Sequence, residues 1–168
     1  MIRDILLPEF DHETATTAKV LANIPAGKFD WRPHDKSFTM GELANHLVDI
    51  LAWGVATLTR DGFDMQTDGA TFERSKATTV EQLLANFEAN RAKARAAIEA
   101  TADADYAKPW ALSAGGHTIF SQPKAGVLRG FVFNHAIHHR GQLSVYLRLT
   151  GALVPSIYGP SADDSGGM

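Results

Sequence analysis

Three histidines fall within five residues of the stretch 134–148, NHAIHHRGQLSVYLR, and helix-forming, apolar-periodic sequence runs on from them without a break. On a helix of 3.6 residues per turn, His135 and His139 lie one turn apart on the same face. Winding the segment at about 100° per residue puts Leu128 and Tyr146 at the centre of a face that also carries Val132, Gln142 and Leu143. His135 and His139 straddle that centre about 20° to either side, whereas His138 stands roughly 80° away, at the edge. Imidazoles aimed into an apolar face need partners there, because an unpaired buried polar group is costly. A metal ion is such a partner, and two histidines leave it short of at least one ligand.

A candidate for that ligand lies about ninety residues earlier. Thr39-Met-Gly-Glu42 fits a capping box, which predicts a second helix from there to about residue 60, before Asp61-Gly62. Met40, Leu43, Leu47, Leu51, Gly54 and Leu58 form its core stripe. His46 lies on a neighbouring arc with Ile50 and Trp53, flanked by Glu42 and Asp49. Carboxylates one turn away commonly orient metal-bound imidazoles, so Asp49 and Glu42 are candidates for that role or for a base. The other histidines read as structural or surface residues. His12 falls in the polar first turn of a helix expected over 9–24, started by Pro8 and ended by Pro25. His34 braces a turn-rich loop, 25–38, that Phe29, Trp31 and Phe38 anchor.

Residues 62–77 read as an irregular polar connection. A third helix is expected from Thr78 or Thr79 to about residue 101, since both threonines begin capping boxes, and its Arg91, Lys93, Arg95 and Glu99 read as a solvated face. Periodicity then stops over 102–122. Trp110-Ala-Leu and His117-Thr-Ile-Phe120 flank Ser113-Ala-Gly-Gly116, the pattern of a small hairpin over the mouth of a pocket. His117 is then a surface residue or a substrate contact. A fourth helix of roughly 28 residues follows, near 121–150, about 42 Å long, with Gly151 at its end. Gly126, Gly130, Phe133, Ile137, Gly141 and Ser144 fall together on its back, a self-association face whose rival is close packing of the tail, which turns polar and frayed after Ser161. The expectation is one domain, 1–168, all-α: a four-helix bundle with long connections and a hairpin between helices 3 and 4.

Composition narrows the chemistry. The chain has no cysteine, so thiolate nucleophiles and Cys-ligated metals are excluded. A net charge of -3 without a basic stripe argues against nucleic acid as partner. No apolar run approaches the roughly 20 residues of a membrane span, and the N-terminus does not resemble a signal peptide, so a cytoplasmic protein with no membrane partner is expected. Three readings of the histidines follow. They are separate polar residues; or they serve Ser-His-Asp catalysis, for which no Gly-x-Ser-x-Gly elbow exists; or His46, His135 and His139 bind Zn2+ or Ni2+ with an open position, the reading the spacing favours.

GELANHL at 41–47 and NHAIHHRGQLSVYLRLTG at 134–151 resemble the two signature segments of the DinB/YfiT-like family, and FDWRPHDKSF and VPSIYGPSADD extend the likeness over most of the chain. The resemblance implies a four-helix bundle, frequently a homodimer, with a three-histidine site for nickel or zinc. Its ligands would be His46, His135 and His139, with His138 in the motif but not a ligand. Some members resemble bacillithiol- or mycothiol-using transferases, others are described as metal-dependent hydrolases or damage-inducible proteins, and one branch isomerises maleylpyruvate. Those isomerases carry a carboxylate where His135 stands, and this chain departs from them. The expected function is that of a metal-dependent enzyme, a hydrolase or a low-molecular-weight-thiol S-transferase. In it bound hydroxide or thiolate attacks a small electrophile, and Trp53, Gln142 and Tyr146 wall the pocket. Without cysteine, any thiolate arrives with a low-molecular-weight thiol. The alternative is a non-catalytic metal-binding or stress-response module with a structural metal.

Overall fold

The computed structural model describes residues 1–163. It opens on α1 (Ile2–Ala22), which starts seven residues before the expected position and carries Pro8 in its interior. A proline there removes one N–H and crowds the preceding turn. Leu6 and Phe10 on either side of it are 4% and 1% exposed, and that burial carries the helix past it. The N-terminal ammonium also bonds Asp4, at 2.8 Å, closing the first turn.

The following loop folds back onto the start of α2 (Met40–Thr59), where the Met40 and Gly41 amides donate to the Trp31 and Phe29 carbonyls, both at 2.8 Å. Gly41 is required by this approach, since a Cβ would lie 2.8 Å from the Phe29 ring. The reciprocal cap is formed: Thr39 Oγ1 accepts from the Glu42 amide at 3.1 Å, and Glu42 Oε2 from the Thr39 amide at 2.7 Å. Every residue of the expected core stripe is buried.

Next come β1 (Gly62–Asp64) and the short α3 (Thr67–Thr71), where only irregular chain was expected. In α4 (Val80–Ala100) Thr79 is the cap, accepting from the Gln82 amide, while the Gln82 side chain reaches Thr78 instead. A 3-10 turn (Asp103–Ala107) leads to β2 (Pro109–Ala114) and β3 (His117–Pro123). These form the expected hairpin. Gly115 and Gly116, with φ of 58° and 80°, supply the two positive φ angles of a tight type I′ connection. β1 adds parallel to β2, so the order is β1-β2-β3. The chain is therefore mostly helical with a small sheet, and the purely all-α expectation is corrected. Asp64 latches the sheet by accepting from Ser113 Oγ and the Gln66, Thr67, Gly115 and Gly116 amides. Those donors, the Gly116 and Gln66 amides foremost, hold its pKa far below the usual carboxylate range. Beneath the sheet, Phe63, Trp110, Leu112 and Val127 form a second small core.

The expected fourth helix is present in three parts: α5 (Lys124–Val127), a π-helical segment (Leu128–Asn134) and α6 (His135–Leu149). It stops in a Schellman motif, with Ala152 N–H on the Leu147 carbonyl at 3.0 Å and Gly151 N–H, at φ 74°, on that of Arg148 at 3.2 Å. α1, α4, α2 and α6 pack in a closed ring of neighbours, α1 on α4, α4 on α2, α2 on α6 and α6 on α1. No helix among the described residues is long and apolar enough to cross a membrane. On the back of α6, Phe133 is buried against Phe10 of α1 (ring centroids 5.9 Å apart) and Ile137 is half-buried, while Gly126, Gly130 and Gly141 are exposed. The tail folds back through Tyr158 and Asp163, the latter paired with Arg148 at 2.7 Å. Most of the fraying expected after Ser161 falls on 164–168, outside the described residues.

Candidate metal centre

The contact between α2 and α6 brings His46, His135 and His139 together. His46 Nε2 lies 3.2 Å from His135 Nε2, which lies 2.9 Å from His139 Nε2, and the potential ligand atoms of all three are within 4.8 Å of one another. His138 is exposed and presents only a ring edge to His139, at 4.9 Å between centroids. It is not one of the group.

Hydrogen bonds on the far side turn the two α6 imidazoles inward. His135 Nδ1 donates to the Phe131 carbonyl, 3.3 Å away in the π-helical segment. That wider winding follows an i→i+5 pattern in place of i→i+4. His139 Nδ1 donates to Gln142 Oε1 at 2.7 Å. With the ring proton on Nδ1, the Nε2 of each histidine presents a lone pair. Two lone pairs 2.9 Å apart repel unless a cation lies between them. Burial lowers the pKa of all three histidines. For His46, burial comes first, then the charges of His139, His135 and Arg74, and together they bring it to about 4. The neutral imidazole, the form that ligates metals, therefore prevails at neutral pH. The donor set thus fits a divalent cation.

Several expected roles change. Glu42 lines the cleft but does not orient His46: its carboxylate is engaged on the Thr39 amide, which holds its pKa low. Gln142 is exposed and acts as the acceptor that fixes His139, where a pocket wall was expected. Tyr146 is buried in the core, edge-on to Trp31, and its hydroxyl donates to the Phe38 carbonyl at 3.2 Å. It holds the loop that places Phe38 beside His46 and His139, with centroids at 6.0 and 6.5 Å. Asp49 and Trp53 line a cavity with His46. One Asp49 oxygen accepts from the Ser75 amide at 2.8 Å, and burial raises its pKa. His34 braces its loop by accepting the Lys36 amide, and His12 and His117 are exposed.

Two cavities open on His46. An open cleft of about 590 Å³ runs between the 25–38 loop and the 74–78 connection. A smaller recess of about 140 Å³ is walled by Trp53, Phe63, Met65 and Phe72. Phe38, Phe72 and Arg74 reach the site from connections with no helical or strand period, so no local pattern signals them.

The chain is 28% identical over 161 residues to an uncharacterised Bacillus subtilis protein, YrdA, covering 96% of this chain and 90% of that one. Its fold is similar to crystal structures of a DinB-like protein from Bacillus cereus ATCC 10987 (TM-score 0.68, 22% identity, 90% of this chain and 95% of that one) and of a DinB family member from Exiguobacterium sibiricum 255-15 (TM-score 0.67, 21% identity, 96% of each). It is also similar to the DinB-like protein YjoA of Bacillus subtilis, with a TM-score of 0.68 at 16% identity over 86% of this chain and 91% of that one. The DinB family model itself matches residues 3–166, and the chain belongs to the DinB family.

Proposed function

We propose that this chain is a metal-dependent enzyme in which His46, His135 and His139 hold a divalent ion, Zn2+ or Ni2+, facing a small electrophilic substrate. The observation that supports this is the meeting of three Nε2 atoms, two of whose rings keep their protons engaged on the far side. A divalent ion on three neutral imidazoles supplies a Lewis acid that makes a water or thiol much more acidic. The chain's own residues do the rest. Gln142 and the Phe131 carbonyl hold the ring protons away from the cation. Asp49, on the cavity wall, has one oxygen free of hydrogen bonds among the described residues and a pKa raised by burial, which suits it to take up and return a proton. Phe38 and Trp53 flank His46 on two sides. Since the chain has no cysteine, a thiolate nucleophile would come from a low-molecular-weight thiol.

Hydrolysis and thiol-transfer assays on the metal-loaded protein should give turnover that a chelator abolishes. The competing reading is a structural metal in a closed site. The open cleft at His46 favours an exchangeable position. In a cobalt-substituted form, azide or a thiol should shift the spectrum. An unchanged spectrum, with no turnover, would establish the non-catalytic reading instead.

A further inference from the structure

The cleft and the aromatic recess share three residues: His46, Asp49 and Arg74. Two of these belong to the centre described above. Arg74 has no assigned task. It is exposed, and among the described residues it forms no hydrogen bond or ion pair. An exposed arginine is ordinarily a solvated surface charge, but here the backbone beside it is fixed. The Ser75 amide donates to Asp49, Ser75 Oγ donates to Asn45 Oδ1 at 2.5 Å, and the Ala77 amide donates to the same Asn45 oxygen at 2.9 Å. Asn45 and Asp49 flank His46 on α2, so the connection carrying Arg74 is tied to the helix that carries the proposed ligand. Its charge is felt at both His46 and Asp49.

The recess next to it joins an aromatic wall to a polar mouth at His46, Asp49 and Arg74, and it is ring-sized. Trp53, Phe63 and Phe72 pack on one another, with centroids 4.9 to 6.2 Å apart, and together form its aromatic wall. Its volume of about 140 Å³ compares with the roughly 150 Å³ cavity that accepts benzene. A guanidinium fork matches the two oxygens of a carboxylate.

We propose that Arg74 and this recess form a substrate subsite for small carboxylic acids with a ring-sized apolar body, the carboxylate on Arg74 and the body against Trp53, Phe63 and Phe72. The proposal rests on the metal-dependent reading only for what happens at the reacting end.

Titrating the zinc-loaded and the metal-stripped protein with benzoate, benzamide and acetate, followed by tryptophan fluorescence and calorimetry, tests it. Benzoate should bind about tenfold more tightly than either of the others. Arg74→Gln should bring benzoate down to the level of benzamide, Arg74→Lys should keep part of the preference, and zinc content should be unchanged in both. Phe72→Ala should weaken benzoate while leaving acetate alone. Equal binding of benzoate and benzamide, no saturable benzoate binding, or a preference that survives Arg74→Gln would each overturn the proposal. A preference that disappears with the metal but not with Arg74 would give the carboxylate to the ion, and also overturns it. Failure of the wild-type chain to take up zinc defeats the metal reading alone, because the Arg74 comparison still reads out in the stripped protein.

Discussion

Gln142 and Glu42 exchange the roles their positions suggest, and this exchange can be measured. Each is one turn from a histidine of the cluster, but only Gln142 bonds one. Gln142→Ala should lower metal affinity about 10- to 100-fold in a competition with a chromophoric chelator, with little change in thermal stability since the side chain is exposed. Glu42→Ala should do the reverse, lowering thermal stability through the lost cap and leaving metal affinity unchanged. The sequence already held part of this answer. Thr39 three residues before Glu42 marks a cap, and a carboxylate engaged on a backbone amide is not available to an imidazole. The side-chain direction of Gln142 had no such signal. The same histidines set a pH dependence. His46 binds a proton near pH 6.5 when unfolded and near 4 when folded, so the unfolded chain holds more protons between those values. Stability of the metal-free protein should therefore fall as pH drops from about 6.5 to about 4, whereas protons should displace metal from folded His46 only as pH falls to about 4 and below. Denaturant titrations across that range check the sign, and a flat profile would contradict the burial of His46.

Among the elements, the π-helical segment matters most for the site. Winding the stretch at a uniform 3.6 residues per turn correctly pairs His135 with His139, because both lie in regular helix after residue 134. It cannot show the wider turn from Leu128 to Asn134, which leaves the Phe131 carbonyl facing the His135 ring. That segment rests on Gly54 of α2, where a Cβ would lie 3.4 Å from Val132 Cγ1 and 3.8 Å from Leu128 Cδ1. Gly54→Leu should cost about 1–3 kcal/mol by overpacking. It should also weaken metal binding, although residue 54 touches no ligand, because the segment leading into His135 is pushed from the helix bearing His46. Gly130→Ala, with open space around it, serves as control. The capping boxes, the Gly-Gly hairpin and the Gly151 stop were legible because each is a local rule. β1 was not, because three residues carry no alternation, and its partners Ala111 to Ser113 lie about fifty residues away. Gly62 records that approach only afterwards, as the place where a Cβ would meet the Ala111 carbonyl at 2.7 Å.

The whole molecule is tied together behind the histidines by Arg140, 1% exposed, which pairs with Glu13 of α1 at 2.7 Å and donates to the Tyr158 hydroxyl of the tail at 2.8 Å. Glu13→Ala leaves that guanidinium buried without its partner and should cost about 3–5 kcal/mol in chemical denaturation. Tyr158→Phe should cost nearer 1 kcal/mol, the worth of an ordinary hydrogen bond. This clamp puts α1 over Phe133 and Ile137, two of the six residues on the face read from sequence as self-associating. The proposed homodimer would rest on what stays exposed: Gly126, Gly130 and Gly141. Gly130→Trp adds its ring where nothing lies within 4 Å, so it should split that dimer without unfolding the chain, and an unchanged sedimentation coefficient would rule the surface out. The three imidazoles from α2 and α6 are proposed to form one site for a cation. Equilibrium dialysis of zinc against the wild type and His135→Ala, with circular dichroism as a check on folding, tests it most directly. One ion per wild-type chain and a large loss of affinity in a folded His135→Ala variant are the expected results. A wild type that takes up no ion, or a variant that holds it undiminished, would contradict the proposal.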